Sequence, residues 1–213
     1  MRRSYIALGL VMCLVAGLSY VAFMPPSGPR SMKHFDADRT ADLELRMWQA
    51  YYAKQRVRLF ALLVTMLHEQ YRYSWAVATT EGFHLARAAA TFGDLRSNYD
   101  VVLPDLTAAY STAASWLHAG FDPTAVARAE LAWWVARRIP GRNSPEQVGD
   151  LMADQYALLY EMPRELFVSS AQLRAEAGAL RDAQAAKPDW ETIGRLLRQS
   201  YAELRQALST AAA

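Results

Sequence analysis

The sequence predicts an all-α protein, a single bundle of six or seven helices behind an N-terminal transmembrane helix. The stretch from Asp42 to Tyr73 has no Gly or Pro, and apolar side chains cover more than half of its circumference from Val57 to Tyr71. Prolines and capping residues punctuate the following chain at intervals that suit helices. No segment alternates apolar and polar residues as a half-buried strand would. Residues 42–73 are therefore predicted to form one long central helix.

The N-terminal segment, residues 1–24, has the pattern of a membrane anchor. Arg2 and Arg3 precede an uncharged run from Tyr5 to Met24, which is long enough for a helix to cross a bilayer. The run ends without the small residues of a cleavage site, so an uncleaved signal anchor is favoured over secretion after signal-peptide cleavage. A short basic amino terminus usually stays inside. We therefore expect residues 5–24 in the bilayer and the C-terminal domain on the periplasmic or extracellular side.

The remaining chain divides into a Pro-rich stalk, residues 25–35, and a helical domain, residues 36–213. Ser, Asp and Pro residues mark the helix starts, because they cap or occupy the first turn. The predicted helices are a long one that starts at Asp36 or Asp38 and continues through 42–73, one from Ser74 to about Phe92, one after Pro104 that ends near Gly120, one from Asp122 to Arg138, one after Ser144, one after Pro163 and one after Pro188. Apolar spacings of three and four predict that the last two pack on each other or on the bundle.

Charge balance and the absence of known motifs argue against several functional classes. Apart from Arg2 and Arg3, the chain carries equal numbers of basic and acidic residues, which argues against a nucleic-acid partner. Cys13 is the only cysteine, so no intrachain disulfide can form. The sequence contains no nucleophile elbow, no glycine-rich phosphate loop and no His-Glu-x-x-His motif.

Four polar residues fall on otherwise apolar helix faces, which permits a metal-site hypothesis. Ferritin-like di-metal bundles take one Glu from each of two helices and a Glu-x-x-His pair from each of two others. Glu44, the pair Glu81 and His84, and Glu130 supply three of those four contributions in the same chain order. A second Glu-x-x-His pair is missing. The cofactor would be a di-metal centre or a single transition metal.

A structural interpretation of the same residues is favoured over the metal site. A carboxylate early in a helix is stabilised by the helix dipole, which accounts for Glu44. Glu130 is expected to pair with Arg137, or with Arg46 or Arg56 of the first helix. Buried polar groups are usually satisfied in this way, and no cofactor is then required.

Aromatic residues are numerous enough to suggest a ligand pocket as a further possibility. Trp48 and Tyr52 lie on the first helix, and Trp133 and Trp134 lie on the fourth. Large aromatic side chains in an Ala-rich bundle more often fill the core. Between facing helices they can also surround an apolar or aromatic ligand.

Together these patterns favour a membrane-tethered domain without enzymatic activity, with an interaction or scaffold role. Its partner would be another protein or a second copy of the chain, in addition to the lipid bilayer. Two alternatives stay open. One is a metal-dependent enzyme or metal carrier that uses the four polar residues, and the other is a sensor or carrier of a small apolar ligand.

Overall fold

The all-α prediction is confirmed by the computed structural model, which describes residues 2–210, with the backbone alone for residues 2–10. This part of the chain contains nine α-helices, two short 3-10 turns and no strand. The helices are α1 Arg2–Phe23, α2 Ala37–Tyr52, α3 Arg56–Tyr71, α4 Trp75–Asp94, α5 Leu103–Leu117, α6 Pro123–Ala136, α7 Pro145–Tyr160, α8 Val168–Ala183 and α9 Trp190–Thr210. The 3-10 turns, Tyr99–Val102 and Arg164–Phe167, precede α5 and α8.

The helices from α2 to α9 form a bundle that closes into a ring. Each helix packs on the next one along the chain, as short connections favour, and α9 packs back on α2. The last two helices, α8 and α9, pack on each other as their apolar spacing predicted. In the described part of the chain, α2 makes no extensive contact with α6, and α4 makes none with α8. Helices on opposite sides of the ring are therefore separated by side chains and by a cavity.

The helix starts are set by the capping residues that the sequence indicated. The side chain of Ser74 accepts a hydrogen bond from the backbone N–H of Val77, and Ser144 caps α7 in the same way. Asp36 and Asp122 cap α2 and α6. These side chains satisfy backbone donors that have no partner within the helix.

The predicted helix at residues 42–73 is two helices, α2 and α3, which corrects the sequence prediction. Lys54 adopts the left-handed conformation with a φ of 55°. The N–H of Gln55 donates to the carbonyl of Ala50 at 2.8 Å, and the N–H of Lys54 donates to that of Tyr51 at 3.0 Å. These bonds form a Schellman motif that ends α2. Because its left-handed residue is Lys and not Gly, composition did not reveal the break. Up to residue 210, the domain consequently has eight helices behind α1, one more than the largest predicted number.

The predicted stalk is partly built into the domain. Phe35 is only 4% exposed, and its ring packs edge-on against Tyr71 and Tyr201, with centroids 6.3 and 5.9 Å apart. The guanidinium of Arg30 lies over the ring of Trp116 at 4.0 Å from its centroid. The core of the domain therefore begins before residue 36.

The N-terminal helix α1 contacts α4, and its described side chains are largely exposed. Residues 5–10 of the predicted membrane span lie outside the part of the chain whose side chains are described. Among the described residues, no helix combines the length and the mean hydropathy that a bilayer span needs. The transmembrane helix is therefore not confirmed.

Replacement of the left-handed residue by glycine tests the break between α2 and α3. Lys54→Gly is expected to raise the free energy of unfolding by about 0.5–1 kcal/mol, because glycine has no Cβ that opposes this conformation. Ala61→Gly, at an exposed position inside α3, is the matched control and should lower it by about 1 kcal/mol. Denaturant unfolding of both variants measures the difference. Equal losses at the two positions would contradict a left-handed turn at residue 54.

Candidate functional site

The main candidate site is a cavity of about 490 Å³ between the helices of the ring, lined by α2, α3, α4, α6 and α8. This volume lies within the range of small-molecule sites, about 300–1,000 Å³. Six aromatic side chains face it: Trp48, Tyr51, Tyr52, Phe92, Trp133 and Trp134. Leu59, Leu63 and Leu85 add aliphatic surface. The cavity is thus mainly apolar and bounded by flat rings.

The aromatic walls are fixed by contacts with one another. The rings of Trp133 and Trp134 pack at nearly right angles with centroids 6.0 Å apart, and Trp134 lies 5.1 Å from Phe92. Tyr51 and Tyr52 stand edge to face at 5.0 Å, at the end of α2 where the Schellman motif turns the chain. Such ring pairs are favoured by the charge distribution of the π-systems. They hold the walls in defined orientations.

A buried ion pair between Glu44 and Arg174 lines one side of the cavity. Oε1 of Glu44 accepts from Nε and Nη2 of Arg174 at 2.9 and 2.5 Å and from the indole N–H of Trp48 at 3.1 Å. Burial acts to lower the pKa of Arg174, but the Glu44 carboxylate overrides it and holds that pKa well above its usual value. The Arg174 guanidinium also lies 5.0 Å from the Trp133 ring centroid. This pair joins α2 to α8 and reaches α6.

A second polar network ends on Glu130. The indole N–H of Trp133 donates to Gln155 at 2.7 Å, the amide of Gln155 donates to the hydroxyl of Tyr110 at 2.8 Å, and Tyr110 donates to Glu130 at 2.5 Å. Burial raises the pKa of Glu130, and the hydrogen bond from Tyr110 opposes that shift. The chain of donors runs in one direction and fixes both Trp133 and Glu130 in the cavity wall.

Glu130 does not pair with Arg137, Arg46 or Arg56, which corrects the structural interpretation of its role. Within the described residues, each of those arginines pairs with an aspartate, and Glu130 is held by Tyr110. The sequence did not identify this partner. Tyr110 lies on α5, and helical periodicity does not show which side chain of a neighbouring helix faces Glu130.

Three arginines that we name the cationic rim, Arg137, Arg138 and Arg181, line the cavity. Asp182, whose side chain is 42% exposed, is the one exposed residue of the cavity lining, so we take this end of the cavity as its opening. Arg137 donates to Asp182 at 2.7 Å and to the hydroxyl of Tyr52 at 3.0 Å. Arg181 reaches the same carboxylate at 3.3 Å and stacks on the Tyr52 ring at 3.1 Å from its centroid. The Nε of Arg181 is buried without a hydrogen-bond partner among the described residues.

Arg138 differs from the other two rim arginines. It donates to the backbone carbonyl of Leu95 at 2.8 Å, and its guanidinium lies 3.8 Å from the ring centroid of Phe92 and 5.6 Å from that of Tyr99. In the described part of the chain, no carboxylate forms an ion pair with it. Its charge is therefore supported by π-systems, a backbone carbonyl and the nearby hydroxyl of Tyr51 rather than by a carboxylate.

The remaining two metal-site candidates lie on α4 with other partners. His84 contacts Asp105 through Nδ1 at 2.9 Å, and Arg87 donates to the same carboxylate at 2.7 Å. Glu81 is buried beside Tyr73, and neither its Oε2 nor the Tyr73 hydroxyl makes a regular hydrogen bond in the described residues. Burial raises the pKa of Glu81 to about 8, with Tyr73 opposing the shift.

The predicted site residues are thus only partly brought together. Glu44 and Glu130 both line the cavity, whereas Glu81 and His84 have separate environments. Within the described residues, no group of three or more His, Cys, Asp or Glu is close enough to hold a metal. The four residues of the predicted ligand pocket, in contrast, all line the same cavity: Trp48, Tyr52, Trp133 and Trp134.

Sequence reasoning named Arg137 but missed Arg138, Arg174 and Arg181 in this cavity. Arg174 and Arg181 are seven residues apart and share one face of α8, a spacing visible in the sequence. Their roles were not visible, because Glu44 lies 130 residues away from Arg174.

Comparison with protein-family models, with curated proteins and with solved structures finds no match to this chain.

The raised pKa of Glu81 predicts a pH dependence of stability. A folded-state pKa of about 8 exceeds the ordinary value of 4.5. The stability that the protonated group contributes is therefore fully present below about pH 4.5 and is lost as the pH rises through about 8. Relative to Glu81→Gln, the wild type should lose at most about 1.4 kcal/mol per pH unit in that window.

Denaturant unfolding of both proteins from pH 5 to about pH 9 measures this difference. His84 is common to both and cancels in the comparison. A difference that stays constant with pH would show that Glu81 is ionised in the folded protein and would contradict the assignment.

Proposed function

We propose that this protein is a binding protein, a sensor or carrier, whose helical domain holds a small apolar or aromatic ligand in its central cavity. The observation that carries the proposal is the aromatic cavity between α2, α3, α4, α6 and α8. Ligand sites in helical bundles are commonly built from side chains on facing helices. Binding, with no chemical transformation, is the proposed activity.

The fixed orientation of the aromatic side chains in the cavity wall supports a preformed binding site. Trp48 and Trp133 each donate the indole N–H in a hydrogen bond, to Glu44 and Gln155 respectively, so the orientation of each ring is fixed by a polar contact. A site whose rings are already oriented loses less conformational entropy when a ligand enters. A flat ligand would then gain ring contacts without reorganising the bundle.

The N-terminal helix is proposed as the membrane anchor, with the amino terminus inside and the domain on the periplasmic or extracellular side. Supporting this, eight large apolar side chains of α1 are 55–67% exposed: Val11, Met12, Leu14, Val15, Leu18, Tyr20, Val21 and Phe23. Apolar side chains this numerous on a single helix call for an apolar surrounding, and lipid supplies it.

A scaffold role, expected first from the sequence, has less support than ligand binding. Outside α1, the largest exposed apolar side chains of the described domain are spread over several segments, with Trp75 and Phe83 on α4 and Leu158 on α7. A docking face usually requires a contiguous apolar patch. Contacts with a protein partner or a second copy are therefore proposed to be secondary to the cavity.

Filling the cavity tests the proposal with a neutral aromatic probe, 2-naphthylmethanol. Calorimetric titration of the full-length protein in detergent should show saturable binding, with the protein-free detergent buffer as the baseline for partition. Ala89 lines the cavity, so Ala89→Phe should weaken binding at least about tenfold by occupying ligand space.

Thr79→Phe, on the exposed side of the same helix, is the matched control and should leave the affinity unchanged. Thermal unfolding of each variant reports on folding. Non-saturable heat, or equal affinity in the wild type and Ala89→Phe, would place the probe outside the cavity and contradict the proposal.

A further inference from the structure

The charges of the cavity are unbalanced, and the imbalance is concentrated at its opening. The cavity as a whole is lined by four arginines and three carboxylates, with Glu130 counted as ionised. Glu44 and Arg174 neutralise each other on one wall. The cationic rim then presents Arg137, Arg138 and Arg181 against the single carboxylate of Asp182.

The surroundings of the rim do not remove this excess. A smaller adjoining cavity shares Tyr52 and Arg138 with the main one and is also lined by Lys54, Arg56 and Asp94. Arg56 and Asp94 pair with each other at 2.7 Å, and Lys54 has no carboxylate partner among the described residues. The adjoining cavity therefore adds a positive charge and does not neutralise the cationic rim.

The rim also has donor groups that the protein itself does not use. The buried Nε–H of Arg181 has no acceptor in the described residues, and Arg138 has no carboxylate partner there: it donates to the carbonyl of Leu95 and lies near the hydroxyl of Tyr51. Guanidinium groups bind carboxylates through parallel N–H donors, which gives them geometric preference as well as charge. A buried donor without an acceptor costs free energy that a bound acceptor would recover.

From this arrangement we infer that the ligand is an amphipathic anion, with an aromatic or apolar body in the cavity and a carboxylate at the cationic rim. The inference rests on the proposed binding function and adds the charge and orientation of the ligand. The body packs between Trp48, Trp133 and Trp134, and the carboxylate accepts from Arg138 and Arg181.

Two probes of the same shape separate the charge from the apolar body. Full-length protein in detergent is titrated with 2-naphthoate and with 2-naphthylmethanol, and the affinity ratio is measured by calorimetry. The carboxylate should bind at least about tenfold tighter, which corresponds to about 1.4 kcal/mol. Higher salt should weaken 2-naphthoate more than the alcohol, because salt screens the rim charges.

Variants of the rim arginines test which residues produce the preference for the carboxylate probe. Arg138→Gln should lower the preference for the carboxylate at least about fivefold, Arg138→Lys should retain part of it, and Arg128→Gln, exposed on α6, should keep it. Arg181→Gln provides an independent test on α8 should Arg138→Gln fail to fold.

The outcomes distinguish this inference from the cavity proposal. Equal affinities for both probes, or a preference unaffected by the Arg138 and Arg181 variants, would overturn the anionic ligand while leaving an apolar site in place. Absence of binding by both probes would overturn the cavity proposal and the inference with it. A carboxylate preference lost in the rim variants supports both.

Discussion

The buried ion pair between Glu44 and Arg174 is the interaction on which the arrangement of the cavity depends. It joins α2 and α8, and the same carboxylate oxygen fixes Trp48 while the guanidinium faces Trp133. Removal of two charges from water is unfavourable, so such a pair persists only where geometry and further hydrogen bonds offset desolvation. Here three donors converge on Oε1 of Glu44, while its buried Oε2 has no hydrogen-bond partner among the described residues. The aromatic side chains Trp48 of α2 and Trp133 of α6 lie around the pair.

The ring of helices explains why a cavity persists beside that pair. Each helix from α2 to α9 packs on its two neighbours in the ring, so opposite helices need not touch to stabilise the fold. Interiors are normally close-packed, and unfilled space costs stability. Aromatic side chains, two polar networks and the arginines of the cationic rim line the cavity between the helices. The cavity therefore lowers the packing contribution to stability, and it leaves a space of ligand size between the helices.

The sequence predicted the fold class and most helix starts, because these depend on local signals. Ser74, Asp122 and Ser144 cap helices through atoms within three residues of themselves. The break at Lys54 was missed because a left-handed residue that is not glycine leaves no compositional trace. Long-range partners were missed for a different reason: helical periodicity places a side chain on a face but does not choose its partner. Arg174, the partner of Glu44, and Tyr110, the partner of Glu130, are two such cases.

The cavity itself was foreseen only as a collection of aromatic residues. Trp48, Tyr52, Trp133 and Trp134 were grouped by their abundance, and the structure places all four around one space. Helical periodicity could not predict that α9 packs on α2. This contact joins elements from the two ends of the domain and closes the ring. The arginines acquire their shared location only once the ring is closed.

A double-mutant cycle at Glu44 and Arg174 tests the central claim most directly. Glu44→Gln and Arg174→Met should each lower the free energy of unfolding by roughly 3–5 kcal/mol, because each leaves the other member buried without its partner. The double variant should lose less than the sum of the two, by at least about 1 kcal/mol. Purely additive losses in denaturant unfolding would show that the two side chains act independently, and the pair would then not be the constraint that organises the cavity.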